Sequence, residues 1–228
     1  MTSDIDRVVF VAVIHTDTES VDHAKEIVRE VRPDVVAVEL DKSRYELLLN
    51  PPDDSELENL PPTSDISQDF MQQLALLQKG LGGMTGSEAG EEMMAAIEIG
   101  RELGAKIALV DRPIPETLQA IMRVPLDEIY RLTEQIPTFA KEGEGQTVQE
   151  LFEMLKDSEE VESLMEQFDE EFPGLSDALV HQRNEYVARA LHTILNDVTG
   201  RIVVVLGAGH IDGVRKALEK HLSMESAS

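Results

Sequence analysis

Four short apolar runs constrain this chain more than any other feature: Val8–Ile14 (VVFVAVI), Val35–Val38 (VVAV), Lys106–Val110 (KIALV) and Ile202–Leu206 (IVVVL). They are rich in β-branched residues and lack polar–apolar alternation, as strands covered on both faces do. After the first run comes a polar turn, His15 to Ser20, and then Val21, Ala24, Ile27, Val28 and Val31 at helical spacing. Pro33-Asp34 stops that helix, so residues 8–38 read as a βαβ unit with parallel strands and a right-handed crossover. Helical patterns recur at 66–79, 91–103, 176–195 and 213–222. The region 113–175 is helical in pattern but broken by Pro125, Pro137 and Gly143–Gln146, and reads as a helical insertion or cap. The expected fold is α/β, a mainly parallel central sheet of about four core strands flanked by helices. A single domain over 1–228 is expected, with the Pro- and acid-rich 50–65 as a surface loop.

Composition narrows the function classes. There is no cysteine, which excludes disulfides, thiolate metal sites and cysteine nucleophiles. Twenty basic against 45 acidic residues give a net charge of −25, which repels nucleic acid and anionic lipid. The acids are spread over every segment, which favours a salt-adapted surface over a localised acidic docking face. The run at Val8–Ile14 is far too short to span a bilayer and follows Asp4 and Asp6 rather than a basic leader. The expectation is no signal peptide, no membrane span and a location in the cytoplasm or on the cytoplasmic face of a membrane.

Each strand-like run ends on ionisable residues: His15, then Glu39 and Asp41, then Asp111 and Arg112, then Gly207-Ala-Gly-His210. In an open parallel sheet, ligands bind outside the carboxyl ends of the strands. Taken singly, a histidine there is an ordinary turn residue, Glu39 or Asp41 could cap a helix, and Asp111-Arg112 could be a structural ion pair. Those readings do not predict that all of them reach one edge. Gly207 to Gly213 imitates a dinucleotide turn, but its third glycine is one position late and no strand follows to carry a ribose ligand, so no nucleotide is expected. The glycines are instead expected to turn the backbone sharply so that His210 faces the cleft. Two imidazoles with carboxylates suit Zn²⁺, Mn²⁺ or Co²⁺ with an open water position. Without metal, the same groups could act as a histidine base and an orienting glutamate.

The motifs His15-Thr-x-x-x-Ser20, Pro33-Asp-x-Val-x-Val-Glu-Leu-Asp41 with Arg44, Gly90-x-Glu92-Met-x-Ala-Ala-Ile-Glu98, Asp111-Arg112-x-Ile-x-x-Thr-Leu118 and Gly207-Ala-Gly-His210-x-x-Gly213 occur in this order. Together they resemble the TraB/PrgY (pheromone shutdown) family, which is similar to the Tiki proteins, described as metal-dependent proteases, and more remotely to erythromycin-esterase-like and ChaN-like domains. The resemblance implies an α/β core with His15, Glu39, Glu92 and His210 gathered in one cleft as catalytic residues and metal ligands. It implies a metal-dependent hydrolase acting on peptide, pheromone-like or related acyl bonds. Arg44, Arg112 and Arg183 would then anchor a substrate carboxylate or an oxyanion, supported by Asp41 and Asp111. Relatives often carry C-terminal membrane helices, and an oligomer is compatible with the family. The sequence departs from the pattern in two places. Ala12 stands where the family's Gly-x-x-His motif has glycine, and His181-Gln-Arg-Asn184 stands where the family has Asp-Glu-Arg-Asp. The loss of those acids favours an alternative reading, a non-catalytic peptide- or ligand-binding or regulatory module.

Overall fold

The four apolar runs form the four strands of one sheet. In the computed structural model, which describes residues 4–14, 18–50, 90–132 and 158–226, these are β1 (Val8–Val13), β2 (Val35–Val38), β3 (Lys106–Leu109) and β4 (Ile202–Gly207). Their order is β1-β4-β2-β3, with every pairing parallel. Burial tracks position in the sheet. Every residue of the central strands β2 and β4 is buried, whereas the edge strands β1 and β3 are only partly so. The one element of topology that the local pattern does not carry is the place of β4. It lies between β1 and β2, so the expected βαβ unit closes around a strand that comes more than 160 residues later.

In chain order the helices are α1 (Thr18–Val31), α2 (Lys42–Leu49), α3 (Glu91–Glu102), α4 (Ile114–Ile121), α5 (Ser158–Glu171), α6 (Pro173–Ser176), α7 (Gln182–Asp197) and α8 (Ile211–Ser226). Because side chains alternate along a strand, the sheet has two apolar faces and needs two helical layers. Val11, Val13, Val36, Val38, Val203 and Val205 pack with Ala24 and Val28 of α1 and Met93, Ala96 and Ile97 of α3. Val8, Val35, Ala37, Ile202, Val204 and Leu206 pack on the other side with Val187, Leu191 and Leu195 of α7 and Val214 and Leu218 of α8. The expected insertion between β3 and β4 is helical where it is described, in α4, a stretch at 126–132, α5 and α6. It has a small core of its own, Ile121, Val124, Ile129, Phe172, Leu175 and Ala178. The loop at 50–65, the helix at 66–79 and the Gly143–Gln146 break fall outside the described residues. Among the described residues, no helix is long and apolar enough to cross a membrane.

Candidate functional site

Strand register decides which side chains meet at the carboxyl edge. Val38 pairs with Val205, so β2 stops two residues before the end of β4, and the next residue, Glu39, runs on beside it. Its backbone N–H donates to Val205 O at 3.1 Å, and its carboxylate accepts the N–H of Gly207 at 2.7 Å. One strand over, Asp111 N–H reaches Leu40 O at 3.3 Å, which places Asp111 alongside Glu39. Both carboxylates are almost completely removed from water, at 4% and 0% side-chain exposure. Buried charges of this kind persist only with a partner.

That partner is Arg183, in the first turn of α7. Its Nε donates to Asp111 Oδ1 at 3.0 Å and its Nη2 to Asp111 Oδ2 at 2.8 Å, the two-pronged geometry in which guanidinium and carboxylate bind best. The same Nη2 donates to Glu39 Oε1. Burial by itself would lower the Arg183 pKa, but the charges of Glu39 and Asp111 outweigh it and raise the value above the ordinary arginine range. Arg44 brings a second cation, its Nη1 3.0 Å from Asp111 Oδ2. Two guanidinium groups therefore face two buried carboxylates.

His210 follows β4 in a single tight turn, Ala208–His210. Its Nδ1 lies 2.7 Å from Asn184 Oδ1, and its Nε2 lies 3.3 Å from Arg183 Nη1 and 3.4 Å from Glu39 Oε1. The ring is thereby held between the Asn184 amide at one nitrogen and Arg183 with Glu39 at the other. The chain turns sharply here, as expected, but without left-handed backbone: Gly207 has φ −55°, and the positive-φ glycines of the described chain are Gly90 and Gly104. Gly207 also serves as a hydrogen-bond donor to Glu39.

The other candidates divide in role. Asp41 caps α2, accepting from Ser43 N–H at 2.6 Å and Arg44 N–H at 3.0 Å, and its second oxygen accepts from Ile114 N–H at 3.1 Å. It thus ties the β2 edge to the start of α4. Asp41→Ala should cost about 1–2 kcal/mol for the lost cap and more for the stranded Ile114 N–H; a melting curve measures it, and Asp41→Asn, with a single acceptor oxygen, should recover the cap but not the Ile114 bond. Arg112 is buried and donates to Thr117 Oγ1 at 3.1 Å, to Gln182 Oε1 at 2.9 Å and to Ala178 O. Glu92 is 1% exposed and accepts from Gly90 N–H at 3.2 Å, closing the start of its own helix where Gly90 adopts φ 100°. His15 lies outside the described residues.

The departing segment His181–Asn184 proves central. A π-helical turn, Asp177–His181, leads directly into it, a distortion often found beside functional sites. His181 Nε2 is 3.0 Å from Asp169 Oδ1, Gln182 joins Arg112 to Asp177, Arg183 holds the two carboxylates, and Asn184 orients His210. Asn184 and Gln182 were legible in the sequence only as missing acids. No local signal says that Asn184 meets a histidine 26 residues later.

This geometry corrects the metal reading. Among the described residues no group of three or more His, Asp and Glu side chains is placed to hold a metal ion. The physical reason lies in the cluster. The position between Glu39, Asp111 and His210 is filled by the Arg183 guanidinium, which supplies the positive charge a divalent ion would bring and repels one. Glu39, Glu92 and His210 therefore do not form the expected Zn²⁺, Mn²⁺ or Co²⁺ ligand set, and the metal-dependent, metalloprotease-like hydrolase expected from the motifs is not supported.

Comparison with known proteins decides the lineage. The TraB/PrgY/gumN family matches residues 2–222, nearly the whole chain. The chain belongs to this family. Similar proteins include the uncharacterized protein MJ1365 of Methanocaldococcus jannaschii, 29% identical over 209 residues, covering 90% of this chain and 52% of the relative. TraB domain-containing proteins of Bos taurus and Homo sapiens are 27% and 26% identical over 249 residues, covering 96% of this chain and 64% of each relative. The chain thus spans about half to just under two-thirds of the length of these curated relatives.

Proposed function

We propose that this TraB/PrgY/gumN member is a non-catalytic module that binds peptides or related small ligands at the carboxyl edge of its sheet. The observation that carries this reading is the Arg183 guanidinium seated between Glu39, Asp111 and His210. It balances the buried acids internally, and it leaves a rigid, hydrogen-bonded polar floor suited to recognition. The amide of Asn184, where the family pattern has an acid, contributes shape and a hydrogen bond to His210 without charge. The net charge of −25 is unsuited to nucleic acid. A single domain and a cytoplasmic location fit this role.

The test uses a mixture of short synthetic peptides in equilibrium dialysis against the purified chain, with mass spectrometry of both compartments. Saturable retention, with the retained peptides recovered at unchanged mass, is the expected result. Progressive cleavage that disappears in His210→Ala would overturn it.

A further inference from the structure

A second, chemically different site lies between α4 and α7. Residues at helical spacing on the two helices face each other across a cleft of 330 Å³, at the small end of ligand pockets. Three of its lining side chains are arginines, Arg112, Arg123 and Arg189, in a chain that has 12 arginines and 45 acids. None of Glu39, Asp111, Arg183 and His210 lines it.

Arg112 is the telling member. It is 4% exposed, yet its three side-chain hydrogen bonds all go to neutral acceptors, Thr117 Oγ1, Gln182 Oε1 and the Ala178 carbonyl. A guanidinium carries five N–H groups, so two remain without an acceptor among the described residues. Burial and the nearby Arg183 charge disfavour its cation more than Asp111, Glu116 and Asp177 favour it. It is a buried positive charge short of negative partners. Arg123 and Arg189 are exposed on the open side of the cleft. Two acids also line it: Glu185 is shared between His221 Nε2 at 2.9 Å and Arg189 Nε at a looser 3.9 Å, and Glu116 is exposed.

We propose that this cleft binds a small organic or inorganic oxyanion, a carboxylate or a phosphate group, between Arg112 at its buried wall and Arg123 and Arg189 at its mouth. Such a group would accept the unused N–H donors of Arg112 and supply the missing charge. The strongly acidic remainder of the surface suppresses general anion adsorption, so saturable binding of an anion reports a specific site. The proposal is independent of peptide binding at the strand edge.

Isothermal titration of the full chain at low salt, with inorganic phosphate and succinate as probes and succinamide as the uncharged control, tests it. Expected is saturation by phosphate, by succinate or by both, none by succinamide, and loss of affinity as KCl is raised. Whichever anion saturates identifies the oxyanion. Arg123→Ala and Arg189→Ala should each weaken binding about tenfold. Both side chains are exposed, so an unchanged melting curve shows that the fold is intact. Arg101→Ala, on a helix that does not border the cleft, should leave binding unchanged. Absence of saturable heat with either anion at millimolar concentration, or equal affinity in the two cleft variants and the parent, would overturn the proposal.

Discussion

Arg183→Ala is expected to destabilise the protein by about 3–5 kcal/mol, the cost of removing one partner from a buried ion cluster. For a chain of this size that lowers the melting temperature by on the order of 10 °C. The loss comes less from the attraction removed than from what stays behind. Asp111 and Glu39 are shielded from water, and their other partners, among them Arg44, the Arg112 N–H, the Gly207 N–H and His210, do not replace the two-pronged guanidinium. Arg183→Lys should recover only part of the loss, because an ammonium cannot bond both Asp111 oxygens in one plane while also reaching Glu39. The pH dependence separates this account from a simple packing defect. In the parent the raised Arg183 pKa makes its contribution fully present below the ordinary arginine value, and it fades only as pH rises through the still higher folded value. The parent therefore draws a constant contribution from Arg183 across the neutral range. In Arg183→Ala the deficit should shrink in mildly acidic buffer, where protonation neutralises the stranded carboxylates. A deficit of the same size at every pH would show that these charges are not its source.

Gly213→Ala is expected to cost about 1–3 kcal/mol although it adds one methyl group and favours the helix intrinsically. A Cβ at this position would lie 2.1 Å from Asn184 Nδ2 and 3.0 Å from Asn184 Cγ. Asn184 is 5% exposed and cannot simply swing into solvent. Either α8 lifts off α7, loosening the contacts of Val214 and Leu218, or Asn184 leaves His210. The second outcome is visible by NMR as a change in the His210 ring nitrogen shifts, since Nδ1 loses its Asn184 partner. Gly213→Ala combined with Asn184→Ala should regain stability relative to Gly213→Ala alone, because the clash is gone. A double variant no better than the sum of the two single ones would refute the contact.

Why β4 sits in the centre of the sheet shows what kind of information a linear pattern holds. All four strands, their parallel direction and the helices α1, α3, α7 and α8 follow from local sequence, because strand burial is written as unbroken β-branched runs and helix burial as a period near 3.6. The insertion of Ile202–Gly207 between β1 and β2 is not written there. It depends on which apolar faces can be covered at once by α1 with α3 and by α7 with α8.

The same division runs through the site. Strand ends and glycines in the sequence were enough to place Glu39, Asp111 and His210 at one edge, since that depends only on parallel topology. Their chemistry was not legible. Read as residue types, two histidines and several acids invite a metal. In three dimensions Arg183, 144 residues after Glu39 in the first turn of α7, drives a guanidinium into the middle of them. Asn184, which looks in the sequence like a lost acid, becomes the orienting partner of His210, and Arg112 leaves the strand edge to line a cleft between two helices. Residue identity settles which charges are available; only packing settles which opposite charge reaches each of them first, and that pairing decides whether a buried carboxylate is a ligand in waiting or one half of a closed ion pair.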